Sequence, residues 1–299
     1  LCLGLFGCEA ELQLGAVEIE LNKPIRRDDQ YQAMTSHDTN ILLFGSAGVV
    51  LSSANNGETW QRNIVDENAN FISADHCSDG TTVALSFDKR VWLSKDAVAW
   101  HSHDIDTSEY LQKIVCAPDN SLWLTASFST LLHSKDKGET WLEQSMNEDA
   151  LLTHVQFFDH NVGVAAGEFG FFFTTDDGGT TWNSGGSIGA EFYPIDVWFR
   201  DQKSGWAVGL NGVVYHTSDG GQTWTRQDTQ ELSSPLYRVV GNDKQVFALG
   251  DQGTVITLKG NQWVPVATQK TPVHFNNGFI VSNENLLVIA GGWGSIARI

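Results

Sequence analysis

Apolar and polar positions alternate along this chain in short bursts broken by Gly, Asn, Asp or Ser, and the bursts fall into groups that repeat. In the fifth group, IDVWF (195 to 199), GWAVG (205 to 209), VVYHT (213 to 217) and TWTRQ (223 to 227) predict four short strands joined by turns. The pair VFALG and TVITL around a turn (246 to 258) repeats the middle of that pattern, and LLVIAGGWGSIARI (286 to 299) begins it again. A tryptophan closes each of six groups, at Trp60, Trp100, Trp141, Trp182, Trp224 and Trp263, with gaps of 40, 41, 41, 42 and 39 residues. A repeat of that length, made of short strands, predicts an all-β fold, a seven-bladed β-propeller of four-stranded antiparallel blades. The repeat runs from about 31 to 299 and marks one domain. The seventh group lacks a fourth strand. The segment 16–21, AVEIEL, alternates apolar and acidic and is predicted to close the ring as the outermost strand of the last blade, leaving no open edge. It sits within an N-terminal stretch, 9–30, that precedes the repeats.

Each tryptophan ends a motif of the form Ser/Thr-x-Asp-x-Gly-x-Thr-Trp, complete in SKDKGETW (134 to 141), TDDGGTTW (175 to 182) and TSDGGQTW (217 to 224). Asn55 replaces the acid in the first copy. The second copy, with Asp96, is one residue short, and the sixth has lost the acid. The acids Asp136, Asp177 and Asp219 fall in the turn between third and fourth strands, where a carboxylate accepts amides two or more residues on. The indole that follows is expected between blades. One acid per blade, dispersed around a rim, suits a structural clasp and not catalysis or calcium binding.

Composition adds exclusions. A formal net charge of −18 repels phosphate backbones and anionic headgroups, so nucleic acid is not an expected ligand. Residues 1–8, LCLGLFGC, are an apolar remnant in which Leu5-Phe6-Gly7-Cys8 resembles a bacterial lipobox, with Cys8 the residue to be acylated; a plain secretory signal or a hydrophobic tail is the other reading. The expected setting is the periplasmic side of a membrane, with the protein a monomer held through that lipid. Cys77 and Cys116 occupy matching places in the second and third groups, and two buried free thiols are expected, because splayed strands hold alpha carbons apart. No motif calls for a cofactor or a metal. His101 and His103 share a strand face without a third ligand, and Asp104, Asp106 and Glu109 read as a solvated loop.

The motifs are those called Asp boxes or BNR repeats, found in sialidases, other glycosidases and non-enzymatic propellers. The fifth unit, FRDQKSGWAVGLNGVVYHTSDGGQTW (199 to 224), with VGVAAGEFGFFFTTDDGGTTW (162 to 182) close behind, resembles the photosystem II stability/assembly factor family. That resemblance implies an exported or lumenal seven-bladed propeller that holds membrane-protein assembly intermediates without catalysis. Relatives also occur in bacteria that do no photosynthesis, so it implies an assembly role more firmly than a photosystem partner. Members that bind photosystem subunits are associated with an arginine-rich face, and this chain has only 8 Arg, scattered. The alternative is a carbohydrate-active propeller, whether sialidase-like glycosidase or lectin-like binder. Sialidases resemble one another in an arginine triad announced by Arg-Ile-Pro; here Pro24-Ile-Arg-Arg27 has the wrong order.

Propellers bind through the turns between second and third strands and the connections between blades, which share one mouth. Those turns read GSAG (45 to 48), SFDK (86 to 89), SFST (127 to 130), GEFG (167 to 170), GLNG (209 to 212), GDQG (250 to 253) and GGWG (291 to 294). Phe87, Phe128, Phe169 and Trp293 stand at their tips with Leu210. Either these side chains fold over the channel and pack on each other, or they form a collar, extended by Tyr110, Phe192, Tyr193, Tyr237 and Arg238, that docks a protein segment of a membrane complex.

Overall fold

A computed structural model describes residues 14–189, 192–267, 272–281 and 286–299. Seven antiparallel sheets follow one another along the chain, six of four strands and a last one of three. In each, the first strand is innermost and the rest pair outward in sequence order, as the turn signals require. The innermost strands are Tyr31–His37, Phe71–His76, Leu111–Cys116, Leu152–Phe157, Pro194–Phe199, Leu236–Gly241 and Phe275–Val281.

The core is not one body but seven, one at each seam between neighbouring blades. Trp60 packs with Met34, Leu43 and Val288 where blade 7 meets blade 1, and Trp100 lies against the seam of blades 1 and 2. Trp141, Trp182, Trp224 and Trp263 do the same at the next four seams. Each indole therefore wedges against the preceding blade, and that is why the tryptophan recurs once per repeat. The seam between blades 6 and 7 has no such residue, because blade 7 has no fourth strand among the described residues; Ala297 and Ile299 pack there instead.

The acids of the repeated motif act as the clasp their position suggests. Asp136 accepts the Thr140 amide at 2.9 Å and the Ser134 hydroxyl at 2.8 Å, while Ser134 Oγ accepts the Gly138 amide at 2.8 Å. Asp177 and Asp219 repeat the pattern with Thr181 and Thr223. Asn55 takes the Thr59 amide in blade 1, and in the shortened copy Asp96 reaches the Val98 and Ala99 amides instead. Hydrogen bonds to Thr140 and Thr223 hold Asp136 and Asp219 down to about 2.

Two expectations are corrected. Residues 16–21 are not a strand: they belong to a short helix, α1 (Gly15–Leu21), stabilised by the Lys23–Glu20 pair. A six-residue alternation of apolar and acidic positions does not by itself decide between periods, and Ala, Glu and Leu are good helix formers. The ring closes instead through polar contacts centred on Asp29 and Asn277. Asp29, 5% exposed, accepts both Nη groups of Arg62 at 2.9 Å, the Tyr31 hydroxyl at 2.7 Å and the Arg26 amide at 2.8 Å, while its carbonyl accepts the Gly294 amide of blade 7 at 2.8 Å. Asn277 of blade 7 donates to the Tyr31 carbonyl of blade 1 at 3.1 Å. Cys77 and Cys116 are not free thiols but a disulfide, with alpha carbons 5.2 Å apart. Cys116 ends one innermost strand and Cys77 directly follows its neighbour, so the two lie at the inner edges of adjoining blades. Cys8 lies outside the described residues.

Candidate functional site

Every innermost strand carries the same irregularity. Between its first and third residues the register to the second strand slips by one, so the second residue is extruded as a β-bulge in all seven blades. The extruded residues are Gln32, Ile72, Gln112, Thr153, Ile195, Tyr237 and Asn276, and all seven line one cavity of about 470 Å³ at the top of the central channel. A bulge re-aims a side chain, and here it turns one residue per blade into the lumen. Asn276 and Gln32 join across the ring closure at 3.1 Å.

The third residues form the next layer down: Ala33, Ser73, Lys113, His154, Asp196, Arg238 and Asn277. Four consecutive blades, 3 to 6, supply charged or titratable groups to it. Lys113 Nζ lies 3.2 Å from Asp196 Oδ1 and 3.0 Å from His154 Nδ1. Asp196 Oδ2 accepts the Val239 amide at 3.1 Å and faces Arg238 Nε at 3.6 Å. Burial alone would raise the Asp196 carboxyl, but Lys113 and Arg238 outweigh it and hold it well below the carboxylate range. Burial and then Lys113 push His154 down to about 4, so its ring is neutral at physiological pH. Burial likewise lowers the Lys113 ammonium and raises Asp75, whose carboxylate accepts the Cys116 and His76 amides. This ionic layer divides the upper cavity from a smaller one of about 190 Å³ below it.

The turn tips stand around the same mouth, since each bulge pairs opposite the end of the second strand. Register places Phe128, Phe169 and Trp293 at one equivalent position, shared with Ala47, Asn211 and Gln252, and all six have left-handed backbone, at φ values of 52°, 59°, 57°, 53°, 56° and 52° respectively. The four-residue windows aligned by sequence are therefore one residue out at blade 3, where the turn equivalent to GSAG begins at Ala126. Phe87 matches Leu210, a step earlier in the turn. The residue after the tip is fixed by the adjoining connection: a Cβ on Gly294 would lie 2.0 Å from the Arg26 carbonyl oxygen.

The tips do not fold over the channel. Phe87 is 70% exposed, Phe128 55%, Phe169 59%, Leu210 49% and Trp293 71%. Tyr110 is equally open. Tyr193 is partly exposed and donates its hydroxyl to Glu168 at 2.7 Å; burial and that carboxylate push its phenol up to about 12. Tyr237 and Arg238 line the channel, Tyr237 edge-on to His274 with centroids 6.1 Å apart. Phe192 does not belong to the collar: it is buried in the core of blades 4 and 5, its ring 4.9 Å from that of Tyr215.

The catalytic alternatives find little geometry here. Arg238 is the one arginine among the residues lining the upper cavity, so that cavity holds no arginine triad. His101 and His103 meet edge to face at 5.9 Å, and no group of three or more potential metal ligands occurs among the described residues. Glu109 is engaged by the hydroxyls of Ser108 and Ser127.

A ring of seven blades with an open, aromatic-tipped mouth above a polar channel defines a seven-bladed binding propeller. The model of the photosynthesis system II assembly factor YCF48 family matches residues 28–193 and 186–259, and the chain belongs to that family. Among solved structures it is similar to "YCF48 bound to D1 peptide", at 15% identity over 92% of this chain and 93% of that one with a TM-score of 0.75. It is also similar to YCF48 from Cyanidioschyzon merolae, at 14% identity over 92% and 96% with a TM-score of 0.74. An inactive virginiamycin B lyase from Staphylococcus aureus superposes as well, at 10% identity over 91% and 95% with a TM-score of 0.77, a likeness of fold alone. No curated protein sequence matches.

Proposed function

We propose that this protein is a non-catalytic assembly factor that holds a segment of a membrane-protein complex in the collar at its channel mouth. The observation that carries the reading is the choice of Phe128, Phe169 and Trp293 at exposed left-handed tips, where blade 5 uses Asn211. Left-handed backbone costs a non-glycine residue about 1 kcal/mol or more, and bulky residues tolerate it less well than Asn. Rings more than half exposed return little burial. Three such residues at one structural position are a cost with little folding benefit, and docking apolar groups of a partner would offset it. Membership of the YCF48 family, together with a related fold described as bound to a D1 peptide, supports a membrane-protein segment as the occupant. The protein works from the exported side, held at the membrane by a lipid on Cys8, and as a monomer.

The test is affinity purification from detergent-solubilised host membranes, comparing the wild type with a Phe128→Ser, Phe169→Ser, Trp293→Ser variant of unchanged melting temperature. One membrane complex recovered with the wild type and lost with the variant is expected. The same proteins recovered with both would rule the collar out. Cys8→Ser should release the protein from the membrane fraction; retention there would exclude the anchor.

A further inference from the structure

We propose that the upper channel is a receptor for a carboxylate, with Arg238 as the group that binds it. Asp196, the acid in the ionic layer that lines this cavity, has both oxygens already engaged: Oδ1 by Lys113, Oδ2 by the Val239 amide. The cations are not matched in the same way. Arg238 Nε makes no hydrogen bond and only faces Asp196 at 3.6 Å, while its two Nη groups donate to no described residue, and the side chain is 31% exposed in the cavity wall. An arginine fork with unspent donors, sheltered from bulk water, binds a planar carboxylate in two parallel hydrogen bonds.

The surroundings fit the same ligand. Tyr237, His274 and the paired amides of Gln32 and Asn276 line the same cavity as Arg238, and its volume of about 470 Å³ is in the range that holds small organic ligands. Two cations, Lys113 and Arg238, stand in this layer against the carboxylates of Asp196 and Asp75. The molecule as a whole, at −18, repels anions. A single carboxylate suits one guanidinium; a phosphate dianion would ask for more cations than the cavity wall supplies. The carboxylate has two sources, a free organic acid or the terminus of a polypeptide threaded through the collar. The site is independent of the collar reading, since it is assayed with the isolated protein and small ligands.

Isothermal titration at low salt would compare glutarate, phenylacetate and a short apolar peptide with a free or an amidated terminus, against wild type, Arg238→Gln and Arg238→Lys. Binding of a carboxylate probe should weaken at least about tenfold in Arg238→Gln, with partial recovery in Arg238→Lys. Tighter binding of the free acids assigns the site to a small metabolite; tighter binding of the free-ended peptide over its amide assigns it to a chain terminus. Should Arg238→Gln fail to fold, modification of wild-type Arg238 by phenylglyoxal, read by mass spectrometry, should be suppressed by the same carboxylates. No carboxylate binding, equal binding to Arg238→Gln, or unprotected Arg238 would overturn the proposal, and none of these touches partner capture by the collar.

Discussion

Replacing Asp29 by alanine should open the ring where its two ends meet. Asp29 is joined to Arg62 by two hydrogen bonds of 2.9 Å, with side chains 3% and 13% exposed, so the pair is desolvated on both sides. Removing one partner of a buried ion pair leaves the other charge uncompensated, at a cost of about 3 to 5 kcal/mol. The Tyr31 hydroxyl and the Arg26 amide lose their acceptor at the same time. For a chain of this size the melting temperature should fall by about 6 to 10 °C. Amide exchange should rise first in Phe275–Val281 and Tyr31–His37, the strands on either side of the closure. Arg62→Met alone should destabilise, yet Asp29→Ala with Arg62→Met should cost clearly less than the two singles combined, because no orphan charge remains. A melting temperature within about 2 °C of wild type for Asp29→Ala, or strict additivity of the pair, would refute side-chain closure of the ring.

Three further outcomes follow from the same packing. His154 is held down to about 4 while its unfolded counterpart protonates near 6.5, so the unfolded state gains the proton first; stability should decline as pH falls from about 6.5 to 4, by up to about 3 kcal/mol, and chemical denaturation of His154→Gln across that range should show a shallower decline. Trp182→Ala and Trp263→Ala each empty a seam wedge and should lower stability by about 3 kcal/mol, with Trp263, 1% exposed, the more sensitive; unchanged melting of either variant would argue against the wedge. Reducing Cys77–Cys116, which closes a loop with a sequence separation of 39, should cost at most about 4 kcal/mol, and indifference of the melting temperature to reductant would deny the bond any stabilising role.

The blade count was legible because the signal that repeats is also the one that packs: one tryptophan per blade, wedged at a seam. The clasp was legible because Asp, Gly and Thr stand at spacings set by a single turn. The channel was not, because the bulged position takes Gln32, Ile72, Gln112, Thr153, Ile195, Tyr237 and Asn276, residue types with no common property. What they share is a place in the register, and only strand pairing reveals it. Lys113, His154 and Asp196 could have been found beside Arg238 by aligning the innermost strands, where polar groups interrupt an otherwise apolar pattern at the third position of four consecutive blades. The segment 16–21 misled because six alternating residues satisfy a strand without excluding a helix. Cys77 and Cys116 misled because the splay of blades is small near the axis, and both cysteines stand at the ends of innermost strands or directly after them.

The collar as docking site is tested most directly by site-specific photo-crosslinking in host membranes. A photoreactive amino acid would replace Phe169 at the mouth and, as control, exposed Glu139 on the opposite face. Cross-links from position 169 to one membrane protein, with none from position 139, are the expected result. Equal cross-linking from both positions, or a partner captured only from position 139, would contradict docking at the mouth.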